Sequence, residues 1–323
     1  MKSLAATGEV EAIRRLTRLL PKGGADVRVG IGDDCAVVRP GRTAAWDWLL
    51  KSDPVIEGVH FTAGTPGQWV GHKAIGRVLS DLAAMGGEPL WALIDVVAPS
   101  ATPLRRLTDI YRGAARLARA TGLAIVGGDT SVGATLELHV FAVGRVPRGK
   151  AVLRTGARPG DLIYVTGRLG GSGAGKHLRF TPRLAEGAWL RQHGWARSMM
   201  DLSDGLATDL RHMVAACGAG AELDAQAIPV ARAAAAARDG RTGLDHALCD
   251  GEDFELLFTI APARHAAFAR AWSRRFALRC TCVGRMTQRP GVIDVLDPDG
   301  RRAVLREHGY EHFRKSATGK TRA

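Results

Sequence analysis

Short apolar runs of β character alternate with stripes of helical period along the whole chain, and this alternation restricts it to α/β architectures. GIGDDCAVV reads as a glycine turn running into a short strand, and AWDWLLKSD as a second strand. LAIVGG, TLELHVFAVGRV, DLIYVTG, FELLFTI and LRCTCVG add further strands. Helices are expected over residues 9–20, 71–86, 103–120, 173–180, 205–216 and 263–277. In 71–86 the stripe is Ile75, Val78, Leu79, Leu82 and Met85, with Asp81 at its edge. In 103–120 it is Leu104, Leu107, Tyr111, Ala114 and Leu117. The segment VPRGKAVLRTGARPGD lacks apolar periodicity and is rich in Pro, Gly and Arg. It sets a boundary near 148, giving domains 1–148 and 149–323.

Composition narrows the classes. Hydrophobic content of 46% and charged content of 24% over 323 residues are ordinary for a soluble globular protein. No apolar run is long enough to span a membrane, and the start lacks the apolar core of a signal peptide, so a cytoplasmic protein without a membrane partner is expected. The net charge of +13 suits nucleic acid, anionic small substrates or an Arg-rich surface. The basic residues are dispersed and not interleaved with aromatics, which argues against nucleic acid. The five cysteines contain no CxxC, and Cys280-Thr281-Cys282 has no His or Cys pair spaced to complete a zinc site.

Residues 170–177, GGSGAGKH, follow an apolar run and match most of a Walker A phosphate loop. The magnesium-holding Ser or Thr is replaced by His177. The stronger chemical signal lies in aspartates set beside glycines at strand ends or helix edges. These are Asp33 and Asp34 in GIGDD, Asp53 in KSDPVIEGVHF, Asp81 in LSDLAAMGG, and Asp129 in VGGDTS. Asp201 and Asp204 follow in MDLSDGLATDL, then Glu252 and Asp253 in DGEDFELLF. Carboxylates gathered at a cleft repel one another unless cations neutralise them, and hard oxygen ligands select Mg²⁺. For any single motif, a turn or helix cap is an equal reading, and His60, Glu57 and Arg154 each have an ordinary structural one. LSDLAAM and LSDGLATDL echo each other, one per half, as a duplicated fold or a coincidence would.

Taken in order, GIGDDCAVV, SDPVIEGVHF, GHKAIGRVLSDLAAMGGEP, VGGDTS, RTGARPGDLIYVTGRLGGSGAG, MDLSDGLATDL, GEDFELLFT and the closing GYEHF resemble the thiamine-monophosphate kinase family over residues 7–313. The resemblance implies a two-domain aminoimidazole ribonucleotide synthetase-like α/β fold. It also implies a homodimer in which the N-terminal halves pair through a β-barrel. The implied reaction converts ATP and thiamine monophosphate to ADP and thiamine diphosphate, with Mg²⁺. Carried over residue by residue, it makes Asp34, Ser52, Asp53, Asp81, Asp129, Asp201 and Asp204 the metal set, with Asp53, Asp129 and Asp204 catalytic. Gly128, Asp129, Arg154 and Ser203 become ATP contacts, and His60, Glu252 and Tyr310 line the thiamine phosphate pocket.

The chain departs from that pattern in places. Lys51 stands where the family usually has Ser or Thr, Ser52 replaces a Thr, Asp250 replaces a Gly, and the segment 176–195 is shortened. Two other readings share the fold. A selenophosphate synthetase would need a Cys or selenocysteine in an N-terminal glycine-rich loop, and nothing precedes Cys35. A non-catalytic nucleotide-binding relative is the reading that Lys51 favours.

Overall fold

The computed structural model describes residues 3–21 and 23–310. They divide into two compact units: residues up to Val78 with Pro89–Arg148, and Leu79–Glu88 with Gly149–Tyr310.

The first unit carries helices α1 (Leu4–Thr7) and α2 (Glu9–Thr17), then strands β1 (Val27–Val29), β2 (Ala36–Val38) and β3 (Trp46–Ile56). Helix α3 (Gly67–Ala84), whose residues from Leu79 onward belong to the second unit, β4 (Glu88–Ala98), α4 (Leu104–Thr121), β5 (Ala124–Gly127), β6 (Thr130–Val132) and β7 (Glu137–Pro147) follow. Among the described residues the strands form one seven-stranded sheet in the order β1-β2-β3-β7-β4-β5, with β6 also on β4. β3 and β7 pair antiparallel from Trp46 opposite Pro147 to Ile56 opposite Glu137, while β5 and β6 run parallel to β4. Asp47 is buried on β3, and Arg39 meets it with two bonds of 2.6 and 2.8 Å. Helices α3 and α4 touch through glycines: a Cβ on Gly71 would lie 1.9 Å from the Ile110 carbonyl oxygen, and one on Gly113 1.9 Å from that of Gln68. Any larger residue there would push the helices apart.

The second unit contains β8 (Leu162–Thr166), α5 (Lys176–Arg179), α6 (Leu184–Gln192), β9 (Ser198–Asp201), α7 (Leu206–Cys217) and β10 (Gly220–Asp224). It continues through α8 (Arg232–Ala235), α9 (Gly243–Cys249), β11 (Leu256–Ile260), α10 (His265–Arg275), β12 (Cys280–Thr287), β13 (Ile293–Leu296) and β14 (Arg302–Val304). The sheet order is β14-β13-β10-β12-β8-β11-β9. Both of its faces are covered. Ile163, Val165 and Leu257 pack with Leu206, Leu210 and Met213 of α7 and Leu248 of α9. Tyr164, Leu256, Phe258 and Ile260 pack with Trp189 and Leu190 of α6 and Phe268 and Trp272 of α10. Double coverage is why every residue of β11 is buried and why its sequence is apolar apart from Thr259, whose hydroxyl pairs with that of Ser198 at 2.9 Å.

The structure moves several expected boundaries. α3 begins at Gly67, directly after Pro66, whose fixed φ suits a helix start. The expected helix 173–180 is a 3₁₀ turn, Ser172–Ala174, followed by α5, because Gly175 adopts φ 111° and interrupts the α-helix. Asp81, expected at the edge of the apolar stripe of its helix, is itself buried, at 5% exposure.

Candidate active site

In the first unit the chemistry starts on β3. Successive strand side chains alternate, so Lys51 and Asp53 share one face and Ser52 takes the other. Lys51 Nζ lies 3.9 Å from Asp53 Oδ2, and Arg77 Nη2 of α3 lies 3.4 Å from Asp53 Oδ1. Burial works to raise the pKa of this carboxyl, but the charges of Arg77 and Lys51 outweigh it and hold the group below its ordinary value. His60 follows the same strand in a tight turn. Its Nδ1 accepts the Ile56 N–H at 3.0 Å and its carbonyl accepts from the buried Lys73 Nζ at 2.6 Å. A lone pair committed at Nδ1 leaves Nε2 to carry the ring proton. Asp34 is buried just before β2. Gly128 and Asp129 bridge β5 and β6, where the Asp129 carbonyl accepts the Val96 N–H at 2.9 Å and its side chain is exposed. Gly128 has φ 150°, and a Cβ there would lie 1.9 Å from the Ile94 carbonyl oxygen, so the backbone turns at this point only with glycine.

In the second unit Asp201 ends β9, and Ser80 Oγ donates to its Oδ2 at 2.6 Å. Asp81 presents a carboxylate oxygen within 4.8 Å of one on Asp201, and both residues are buried. Two buried carboxylates at that separation are costly without a cation, and a donor set of oxygens alone fits a hard ion such as Mg²⁺. Asp204 lies in the turn before α7, and its N–H donates to Asp209 Oδ2 at 3.1 Å. Burial, then the charges of Asp204 and Asp201, push the Asp209 carboxyl well above its ordinary pKa, while Arg154 opposes them. The Ser203 carbonyl accepts the Glu252 N–H at 2.7 Å, and the Asp204 carbonyl accepts the Tyr310 N–H at 2.9 Å. The second unit thus brings Asp81, Asp201, Ser203, Asp204, Glu252 and Tyr310 together around one short loop, residues 201–204. Tyr310 is half exposed.

The glycine-rich turn 170–177 is turned to another purpose. A phosphate loop offers its backbone N–H groups and its lysine to an anion from outside. Here the Gly170 N–H donates to Asp253 Oδ2 at 2.9 Å and the Gly171 N–H to Asp250 Oδ2 at 2.8 Å. Ser172 Oγ donates to the Gly251 carbonyl at 2.6 Å. Lys176 Nζ sits 3.3 Å from Asp253 Oδ1 and 3.0 Å from Glu255 Oε1, and Arg183 clasps Glu255 through two bonds of 2.8 Å. Arg183 and Lys176 hold the Glu255 carboxyl below its usual range despite burial. Burial raises Asp253 to about 6, against the pull of Lys176 and the Gly170 N–H. The protein's own carboxylates fill the anion cradle.

Residues 32–146 match the family described as AIR synthase related protein, N-terminal domain, and residues 175–297 its C-terminal domain. A thiamine-monophosphate kinase of Rhodopirellula baltica is 38% identical over 289 residues, 87% of this chain and 89% of its own. The thiamine-monophosphate kinase of Escherichia coli is 34% identical, over 95% of this chain and 99% of its own. The solved structure of AaThiL complexed with AMPPCP and TMP superposes with a TM-score of 0.83 at 30% identity, covering 97% of this chain and 99% of that one. Two sheets of mixed α/β architecture, two AIR synthase-type domains and this end-to-end likeness have one reading: the chain belongs to the thiamine-monophosphate kinase family.

Proposed function

We propose that the chain transfers the terminal phosphoryl group of ATP to thiamine monophosphate, giving ADP and thiamine diphosphate. The observation that carries this reading is the pair of buried carboxylates, Asp81 and Asp201, within 4.8 Å of each other in a chain whose relatives are thiamine-monophosphate kinases. The acceptor phosphate is already anionic at neutral pH, so the reaction needs no strong base. It needs two anions brought in line against their repulsion, which is a task of positioning and charge.

Asp34, Asp53 and Asp129 of the first unit and Asp81, Asp201 and Asp204 of the second are the carboxylates that would hold Mg²⁺, with Ser52 beside them. The ions would supply positive charge to the phosphate oxygens. Lys51 and Arg77 add fixed positive charge next to Asp53. Gly128, Asp129, Arg154 and Ser203 are assigned to ATP, and His60, Glu252 and Tyr310 to thiamine monophosphate. The locked ring of His60 would present its Nε2–H as a donor. Residues 1–148 form the nucleotide, metal and dimerisation domain in this reading and 149–323 the second domain. The homodimer pairs its N-terminal halves as a barrel. The free thiols of all five cysteines suit the reducing cytoplasm.

Incubation of the purified chain with ATP, Mg²⁺ and thiamine monophosphate should yield thiamine diphosphate and ADP in equal amounts, and excess EDTA should stop it. Nucleotide binding without that product would instead favour the non-catalytic reading that Lys51 raised.

A further inference from the structure

The glycine-rich turn has one member that reaches beyond the clamp. His177, the residue standing where a Walker loop has its hydroxyl, places Nδ1 3.1 Å from Glu252 Oε2. Glu252 is unusual in its own backbone: φ is 54°, a left-handed conformation rare for a residue with a side chain, and Phe254 repeats it with φ 50°. Such backbone persists where surroundings over-determine it. The turn supplies those surroundings, gripping Asp250, Gly251, Asp253 and Glu255 on either side of Glu252. Phe180, directly after α5, stacks on Phe254 at 4.0 Å between ring centroids. The Glu252 backbone is pinned from below by the Ser203 carbonyl. His177 then meets the carboxylate itself and bears on where it points.

We infer that His177 is a positioning residue for recognition of thiamine monophosphate, acting through Glu252, and that the turn 170–177 is the clamp that presents this carboxylate. The inference rests on the reading that Glu252 lines the thiamine phosphate pocket. Thiamine monophosphate offers a cationic ring, which ATP lacks, together with an amine donor, and a carboxylate held at one angle attracts these while repelling phosphate oxygens.

The test compares His177→Asn, whose amide stands near the Nδ1 position, with His177→Leu, which keeps volume and loses the donor. Full-length variants are assayed for KM of each substrate, kcat and thermal midpoint. His177→Leu should raise the KM for thiamine monophosphate about tenfold, the worth of one charge-assisted hydrogen bond. The KM for ATP, kcat and the midpoint should hold near the wild-type values, and His177→Asn should recover most of the loss. Adding His177→Leu to Glu252→Gln should have little further effect. An unchanged thiamine monophosphate KM in His177→Leu, beside a raised one in Glu252→Gln, would overturn the role of His177. Equal rises in both KM values, or a lowered midpoint that accounts for the loss, would do the same. An unchanged KM in Glu252→Gln would instead remove the underlying assignment of Glu252.

Discussion

Asp253 ties the stability of the second unit to pH. Its carboxyl is 1% exposed, and burial raises it from 3.8 to about 6. The sign follows from linkage. A carboxyl whose pKa is higher in the folded state binds its proton more tightly there, so the stability it contributes is full below about 3.8 and is lost as pH rises through about 6. At 1.36 kcal/mol per pH unit the whole effect is about 3 kcal/mol, of which roughly 2 kcal/mol falls between pH 4 and 7. Asp253→Asn removes the titration and keeps an oxygen to accept the Gly170 N–H. Urea unfolding of both proteins at half-unit steps from pH 4 to 7.5 measures the difference in their stabilities. That difference should swing by roughly 2 kcal/mol in favour of Asn as pH rises. The constant part of the offset absorbs the altered hydrogen bonds, and other titrating groups cancel. A difference that stays flat across the range would refute the reasoning and place Asp253 with its ionised neighbours at all pH values.

Asp53→Asn and Asp129→Asn should each lower kcat by about a hundredfold or more while leaving the circular dichroism spectrum unchanged; near-normal turnover in both would exclude the carboxylate assignments. Gly128→Ala should destabilise the protein by about 3 kcal/mol in urea unfolding, because its Cβ overlaps the Ile94 carbonyl and its φ of 150° suits glycine alone. Lys176→Met should cost about 2 kcal/mol by removing the cation beside Asp253, with Glu255 still held by Arg183, yet leave the KM for ATP within about twofold. Loss of ATP binding in that variant would restore the phosphate-loop reading of GGSGAGKH.

Much of the fold was legible because its long elements carry their own period. WDWLL alternates into β3, but the stripe expected from Leu104 to Leu117 holds only at Ala114 and Leu117: the buried side of α4 is Ile110, Gly113, Ala114, Leu117 and Ala118, while Leu104 is 78% and Tyr111 41% exposed. What escaped was short or ambiguous. β4 begins at Glu88-Pro89 after two glycines, so local turn chemistry masked a strand of eleven residues. β9 and β10 are four and five residues long and buried throughout or nearly so, leaving no alternation to read. In the candidate site the aspartates stood out by their glycine neighbours, but their partners did not. Arg77 and Asp209 look like ordinary helix residues until α3 and α7 are folded against β3 and the 201–204 turn. The ties from Gly170, Gly171 and Lys176 to residues 250–255 span nearly eighty positions, and no local pattern encodes them. The glycine turn itself is visible, and His177, its place inside the family stretch ending GRLGGSGAG and the stronger signal of the aspartates all speak against a phosphate loop; its actual occupants needed the structure.

The four-member charge arrangement of Lys176, Arg183, Asp253 and Glu255 also restricts how such a chain can change over generations. Each charge is answered by others drawn from two distant stretches of sequence. A single replacement unbalances the cluster, as loss of Lys176 leaves Asp253 without its cation, whereas replacement of a matched acid and base together leaves the remainder neutral. Drift at these positions should therefore proceed in acid–base pairs, Lys176 with Asp253 and Arg183 with Glu255. Homologues in which position 253 or 255 is uncharged should have lost a base at 176 or 183 in the same lineage.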